Sequence, residues 1–252
     1  NRFGTDKPDL RFGLELRDFS QFVPGSGFKI FEEVVASGGS VKALVAPGCA
    51  GYSRKQIEEL EAAAKTYGAK GLAWMKLTDE GLTGGISKFF STDTAKISET
   101  LGAQTGDLVL LVADRWNTCC TSLGAVRTKL GHDLELAGSD FAFCWIVDFP
   151  LFEWNDNDKK WDPAHHMFSM PQEKYLETLE EDPGAVKGDL YDLVCNGLEL
   201  ASGSIRIHTP ELQQRVFSIL GITAEEAERR FGFLLKALRY GPPPHGGVAP
   251  GL

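Results

Sequence analysis

YDLVCNGLELASGSIRIH, residues 191–208, is the stretch whose reading decides the fold. Two β-prone runs meet at Asn196-Gly197, a dipeptide that suits the two central positions of a type I′ hairpin because both need positive φ. The turn sets a register in which Cys195 faces Leu198, Val194 faces Glu199 and Asp192 faces Ala201. Asp192, Val194, Glu199 and Ala201 then share one face, with the two carboxylates on a diagonal roughly 7 to 8 Å apart. Leu193, Cys195, Leu198 and Leu200 are expected to fill the other face and supply core. Two like charges side by side on a half-buried sheet repel unless a cation sits between them. Mg²⁺ is the leading candidate, since it takes hard oxygen ligands and is usually held by one or two carboxylates plus phosphates. A solvent-exposed face on which the acids only aid solubility is the alternative, and the hairpin alone leaves both open. Beyond a Ser202-Gly203-Ser204 break that allows a bulge, Arg206 offers a planar fork suited to a carboxylate or phosphate. An arginine paired with a nearby acid is the competing reading.

Composition bounds the rest. The 252 residues are 42% hydrophobic and 24% charged, enough for a full core in one large domain or two smaller ones. No apolar run approaches the length of a membrane-spanning helix, and NRFGTDKPDLRF at the start lacks a signal-peptide core. The five cysteines, Cys49, Cys119, Cys120, Cys144 and Cys195, form no C-x-x-C pair. A reducing cytosol is therefore expected, with neither a disulfide framework nor a zinc site. The net charge of −9 argues against generic nucleic-acid affinity. Both ends read as interior sequence, so the chain is expected to be a piece of something longer.

Outward from the hairpin, the chain divides in style. Phe28–Phe31, Val41–Val45, Gly71–Leu77 and Asp107–Asp114 read as β-prone runs. A helix follows Ser53, where Ser53 and Gln56 make a capping-box pattern and Gly68 is a stop. A second helix is expected from near Asn117 to Leu130, ending before Gly131. FAFCWIVDFPLFEW reads as one long aromatic strand, NDND as a turn, and KKWDPAHHMFSMP as a returning extended segment. Thr209-Pro210 starts a helix. A last helix, opened by Thr223 and Glu226, is expected to bury Ala227, Phe231, Leu234, Leu235 and Leu238 before Gly241 and the prolines that follow. The fold class is α+β: a mostly antiparallel sheet backed by helices, with a separate α+β module.

YDLVCNGLELASGSIRIH, PAHHMFSMP, RFGFLLKALRYGPPPHGGVAPGL and the opening RFGTDKPDLRF together resemble the bacterial-type aspartyl-tRNA synthetases, within the class II synthetase group. The resemblance spans essentially the whole chain. It implies a catalytic-domain segment at 1–19, a GAD-type insertion domain at 20–133, and a further catalytic segment at 134–252 ending at the start of motif 3. It implies that Glu199 meets ATP and its magnesium with Asp192 as companion metal ligand. Arg206 pairs with the aspartate side chain and counts with Glu199 as catalytic, His165 closes over the amino acid, and Ser204 and His166 are neighbours. Gly251 and Leu252 begin an ATP-binding segment. The implied substrates are ATP with Mg²⁺, L-aspartate and tRNA(Asp), with tRNA(Asn) left open, in a homodimeric cytoplasmic parent enzyme. Motif 1, the motif 2 arginine and the motif 3 arginine are not in the chain, so the isolated piece is expected to be inactive.

Other signals are weaker. His165 and His166, adjacent in an extended segment, point to opposite faces and cannot share one ion. The Gly81–Phe90 segment lacks the spacing of a phosphate loop and reads as a tight turn. NDNDKK lacks the glycine and distant glutamate of a calcium loop. Two other classes stay open: a non-catalytic tRNA- or domain-docking module, and a piece of an amidotransferase B subunit that shares the insertion domain.

Overall fold

A computed structural model describes residues 2–251 and resolves two compact units, one running to Ala142 and the other beginning at Phe143. In the first unit β1 (Arg17–Asp18), α1 (Lys29–Ala36), β2 (Ser40–Ala46), α2 (Arg54–Thr66), β3 (Ala73–Thr78), β4 (Gly81–Thr83), α3 (Thr94–Leu101), β5 (Leu108–Asp114) and α4 (Trp116–Asp133) follow one another. The sheet order is β1-β2-β5-β3-β4, with every neighbouring pair antiparallel. Central β5 reads Leu-Val-Leu-Leu-Val because both of its faces are covered. Leu44, Leu108, Leu110 and Val112 pack on Ile57, Leu60, Leu123 and Val126 of α2 and α4. Val41, Met75, Val109 and Leu111 pack on Phe31, Phe90, Ile97 and Leu101 from the other side. Each such side chain contributes about 1.5–3 kcal/mol of transfer free energy.

The chain before β1 is pinned to α4 by Arg127, which is 1% exposed. Its guanidinium donates to the carbonyls of Asp9, Phe12, Gly13 and Leu14 at 2.7–3.2 Å. It also lies 4.8 Å from the Phe3 ring centroid and 4.3 Å from that of Phe12. The charge is thus satisfied by carbonyl dipoles and π faces, with no carboxylate in direct contact among the described residues.

In the second unit β6 (Phe143–Ile146), β9 (Leu190–Cys195), β10 (Leu198–Ile205) and β11 (Gly246–Pro250) form an antiparallel sheet in the order β11-β10-β9-β6. β7 (Phe152–Asn155) and β8 (Lys160–Pro163) make a separate hairpin. α5 (Pro210–Ile219) and α6 (Ala224–Leu238) follow β10. A core of Leu151, Leu190, Ile207, Leu212, Val216 and Leu220 holds α5 in place.

The capping box at Ser53 and Gln56 forms as expected, and the Thr223 hydroxyl accepts from the Glu226 N–H. Several local expectations are corrected. Phe28–Phe31 opens helix α1, because Phe28, Phe31 and Val35 lie at helical spacing over the sheet and outweigh the β propensity of the aromatics. Helix α3 has no counterpart in the sequence reading. Helix α4 runs through Gly131, where a side chain would collide with the Phe12 ring, so this glycine serves packing and does not end the helix. The aromatic stretch 141–154 is two strands in different sheets, broken where Asp148 takes φ +61° ahead of Pro150. Only Lys160–Pro163 of KKWDPAHHMFSMP is a regular strand. Of the five residues expected inside the last helix, only Ala227 and Leu238 are buried. Among the described residues no helix is long and apolar enough to cross a membrane.

Candidate functional site

The central hairpin of the second unit turns at Asn196 and Gly197, whose φ values of 52° and 83° are those of a type I′ turn. Cys195 pairs with Leu198 and Val194 with Glu199, as the turn dictates. An extra residue at Leu200 then shifts the ladder, so that Asp192 pairs with Ser202 and Ala201 pairs with Leu193. The bulge therefore lies beside Glu199, and Ser202-Gly203-Ser204 is regular strand paired with Asp192, Tyr191 and Leu190. Directly paired residues share a face and residues two apart on a strand do too. Asp192, Val194, Glu199 and Ser202 accordingly lie on one face, and Ala201, expected with them, lies on the other. A bulge of this kind is invisible to a register counted from the turn.

Asp192 is 7% exposed, whereas Glu199 is exposed. The face opposite them departs from expectation: Leu198 is 67% exposed and Leu200 is open, alongside Phe143 and Trp145 at 58% and 57%. Only Cys195 of the four expected core residues is buried, with Leu193 partly so. Among the described residues no group of three or more His, Cys, Asp or Glu side chains gathers into a protein-only metal cage. Two carboxylates on one face still suit a hard cation that completes its shell with phosphate oxygens and water.

Arg206 follows β10, and its N–H donates to the His245 carbonyl at 2.9 Å. The guanidinium meets the His166 ring, with Nη1 2.6 Å from Nε2 and 3.1 Å from Nδ1. Ser169, fully buried, is bridged to Arg206 through the backbone and sets its hydroxyl 3.3 Å from the same ring. Burial first, and then the Arg206 and His165 charges, push the His166 pKa below 6.5. His165 faces elsewhere, edge-on to Phe149 at 5.0 Å. The two histidines are thus divided as the extended segment requires, and it is His166 that touches Arg206.

A cavity of about 400 Å³ beside this cluster is lined by Phe168, Arg206, Ile207, Gln213 and Leu238 among others. Ser204 Oγ, His208 Nδ1 and Gln213 Oε1 are buried with no hydrogen-bond partner. Asp189, half-buried, has its pKa raised by burial and by Asp148, whose carboxylate accepts from Gln172 at 2.7 Å. Sequence reasoning does not single out Ser169, Asp189 or Gln213. The signal available for Gln213 is its place one residue beyond Leu212 and three before Val216, which puts it, unlike the neighbouring Gln214, on the buried side of α5. At the far end of the sheet the Gly251 N–H donates to the Leu200 carbonyl at 2.7 Å, and Leu252 lies outside the described residues.

The family of class II tRNA synthetases (D, K and N) matches residues 1–252. Over 254 residues the chain is 61% identical to an aspartate–tRNA(Asp/Asn) ligase of Treponema denticola, covering 99% of this chain and 43% of that protein. It is 57% identical to the ligase of the same name from Treponema pallidum and 54% identical to that of Rubrobacter xylanophilus, in each case over 100% of this chain and 42% of the relative. The chain thus spans less than half the length of the curated relatives it matches.

Proposed function

The chain belongs to the class II tRNA synthetases (D, K and N), and on that premise we propose that it is part of an aspartate–tRNA ligase, carrying one side of the aspartate and ATP site. The relatives named above are aspartate–tRNA(Asp/Asn) ligases. L-aspartate, ATP and tRNA(Asp) are accordingly the proposed substrates of the family-length protein, with tRNA(Asn) as a second acceptor and a homodimer as its assembly. The division into catalytic segments at 1–19 and 134–252 around an insertion domain at 20–133 belongs to the same proposal.

The reaction has two steps. The α-carboxylate of aspartate attacks the α-phosphorus of ATP, pyrophosphate leaves, and a mixed anhydride forms. A ribose hydroxyl of the terminal adenosine of tRNA then attacks the aspartyl carbonyl, and AMP leaves. No protein nucleophile is required, so the residues act by placing anions and balancing their charge. A bound magnesium would supply neutralisation of phosphate charge. Asp192 and Glu199 are the residues to hold it, through hard oxygen donors on one face. Arg206 binds the side-chain carboxylate of aspartate through its two-pronged donor edge, and a neutral amide cannot satisfy both prongs. His165 and Ser204 complete the amino-acid pocket, and Gly251 with Leu252 extends the ATP site.

The observation that carries this reading is the arrangement of Asp192 and Glu199 on one face of the β9-β10 hairpin with Arg206 seven residues beyond Glu199. Aspartate-dependent pyrophosphate exchange in the family-length protein tests it. Arg206→Ala is expected to lower the rate at subsaturating aspartate roughly a thousandfold, about 4 kcal/mol. Near-normal exchange overturns the assignment.

A further inference from the structure

We infer that His166 is the positioning residue for Arg206: a ring nitrogen of His166 accepts from the guanidinium and fixes the direction in which its free edge meets the substrate carboxylate. The inference rests on the aspartate reading of Arg206 given above. Arginine is only ever a donor, so its hold on a histidine requires an unprotonated ring nitrogen. The 2.6 Å contact from Nη1 to Nε2 is the shortest that the ring makes to another side chain. Nδ1 is farther from the same Nη1, at 3.1 Å, and the Ser169 hydroxyl lies 3.3 Å from both ring nitrogens. The Phe168 N–H donates to Nδ1 at 3.3 Å.

Three supports keep the ring in place. Ser169 is fully buried and bridged to Arg206 through the backbone, which locks the 166–169 turn against the end of β10. Phe168 lies alongside the ring, with centroids 6.3 Å apart, and is itself wedged against Phe217 and Phe231. The Phe168 carbonyl accepts from the Ile207 N–H at 2.9 Å, tying the two segments together one residue beyond Arg206. A guanidinium gripped at one Nη keeps its other nitrogens for the ligand. Left loose, the same side chain would lose rotamer freedom on binding and weaken the site. Adjacent His165, turned to Phe149, cannot replace it.

The test is steady-state pyrophosphate exchange in the family-length protein, varying aspartate and ATP separately. His166→Ala is expected to raise the aspartate KM about tenfold or more, with kcat and the ATP KM changed less than about threefold. His166→Asn, which keeps a side-chain acceptor, is expected to recover most of that loss. An unchanged aspartate KM in His166→Ala overturns the inference, as does a fall confined to kcat. Failure of His166→Asn to recover anything, with circular dichroism and melting temperature unchanged, also counts against it. Arg206→Ala run in parallel separates the two levels. If it too leaves the aspartate KM unchanged, the reading of the whole site fails. If it abolishes saturation by aspartate while His166→Ala does nothing, only the positioning role fails.

Discussion

The two units solve the problem of a sheet with two faces in different ways. In the first, helices cover both sides of β5, and even a buried charge, Arg127, has its Nε and Nη2 donors met by carbonyls and lies against two aromatic rings. In the second, one face of the sheet presents Phe143, Trp145 and Leu198 to the surroundings, and Ser204, His208 and Gln213 each keep a buried polar atom without a partner. Unpaired buried polar atoms cost about 1–3 kcal/mol each. The first unit is organised for stability. The second tolerates unsatisfied groups, and it is the unit that carries Asp192, Glu199 and Arg206, the residues proposed to meet ligands.

If that contrast is right, substitutions in the two units should differ in kind. Arg127→Met should be among the most costly changes to folding, since it strands several carbonyls at once. Urea denaturation is expected to show a loss of about 3 kcal/mol, and a loss below 1 would mean the clamp is ornamental. Gly131→Ala should cost about 1–3 kcal/mol by driving a methyl group into the Phe12 ring. Equal stability there would show that the segment before β1 yields freely. In the second unit, Leu198→Asn at an open position should shift stability by less than about 0.5 kcal/mol. A large loss would mean that the face is covered after all.

A pH dependence sharpens the same comparison. The folded pKa of His166 lies below its ordinary 6.5, so the unfolded chain takes up the proton first as pH falls. The stability contributed by the neutral ring is complete above about pH 6.5 and is lost as pH falls through that value toward the folded pKa. Denaturation midpoints of the chain should therefore drop between pH 7.5 and pH 5, with a shallower drop in His166→Asn. Parallel curves for the two proteins would remove His166 as the source.

What the sequence made legible was local. The Ser53 capping box, the Asn196-Gly197 turn and the Thr223 cap each depend on neighbours within three residues, and each forms. What it concealed depended on partners far along the chain. Phe28–Phe31 looks like strand until the sheet it must cover is known. Gly131 looks like a stop until Phe12 is seen beneath it. The hairpin register was correct up to Glu199 and failed at Leu200, because nothing local marks a bulge. The shared face of Asp192 and Glu199 survived that failure, since it is set before the shift and by the i, i+2 rule on β9. Which face would be dry was misread, because alternation fixes sidedness but not what lies over each side. For the same reason His166 stood beside His165 with no sign of which would meet Arg206.

The central claim is that Asp192 and Glu199 act together as a magnesium-dependent nucleotide site. Calorimetric titration of the family-length protein with ATP over a range of Mg²⁺ concentrations tests it most directly. Affinity should rise with Mg²⁺ in the wild type, and the dependence should be lost in both Asp192→Asn and Glu199→Gln. ATP binding that keeps its full Mg²⁺ dependence in either variant would contradict the account.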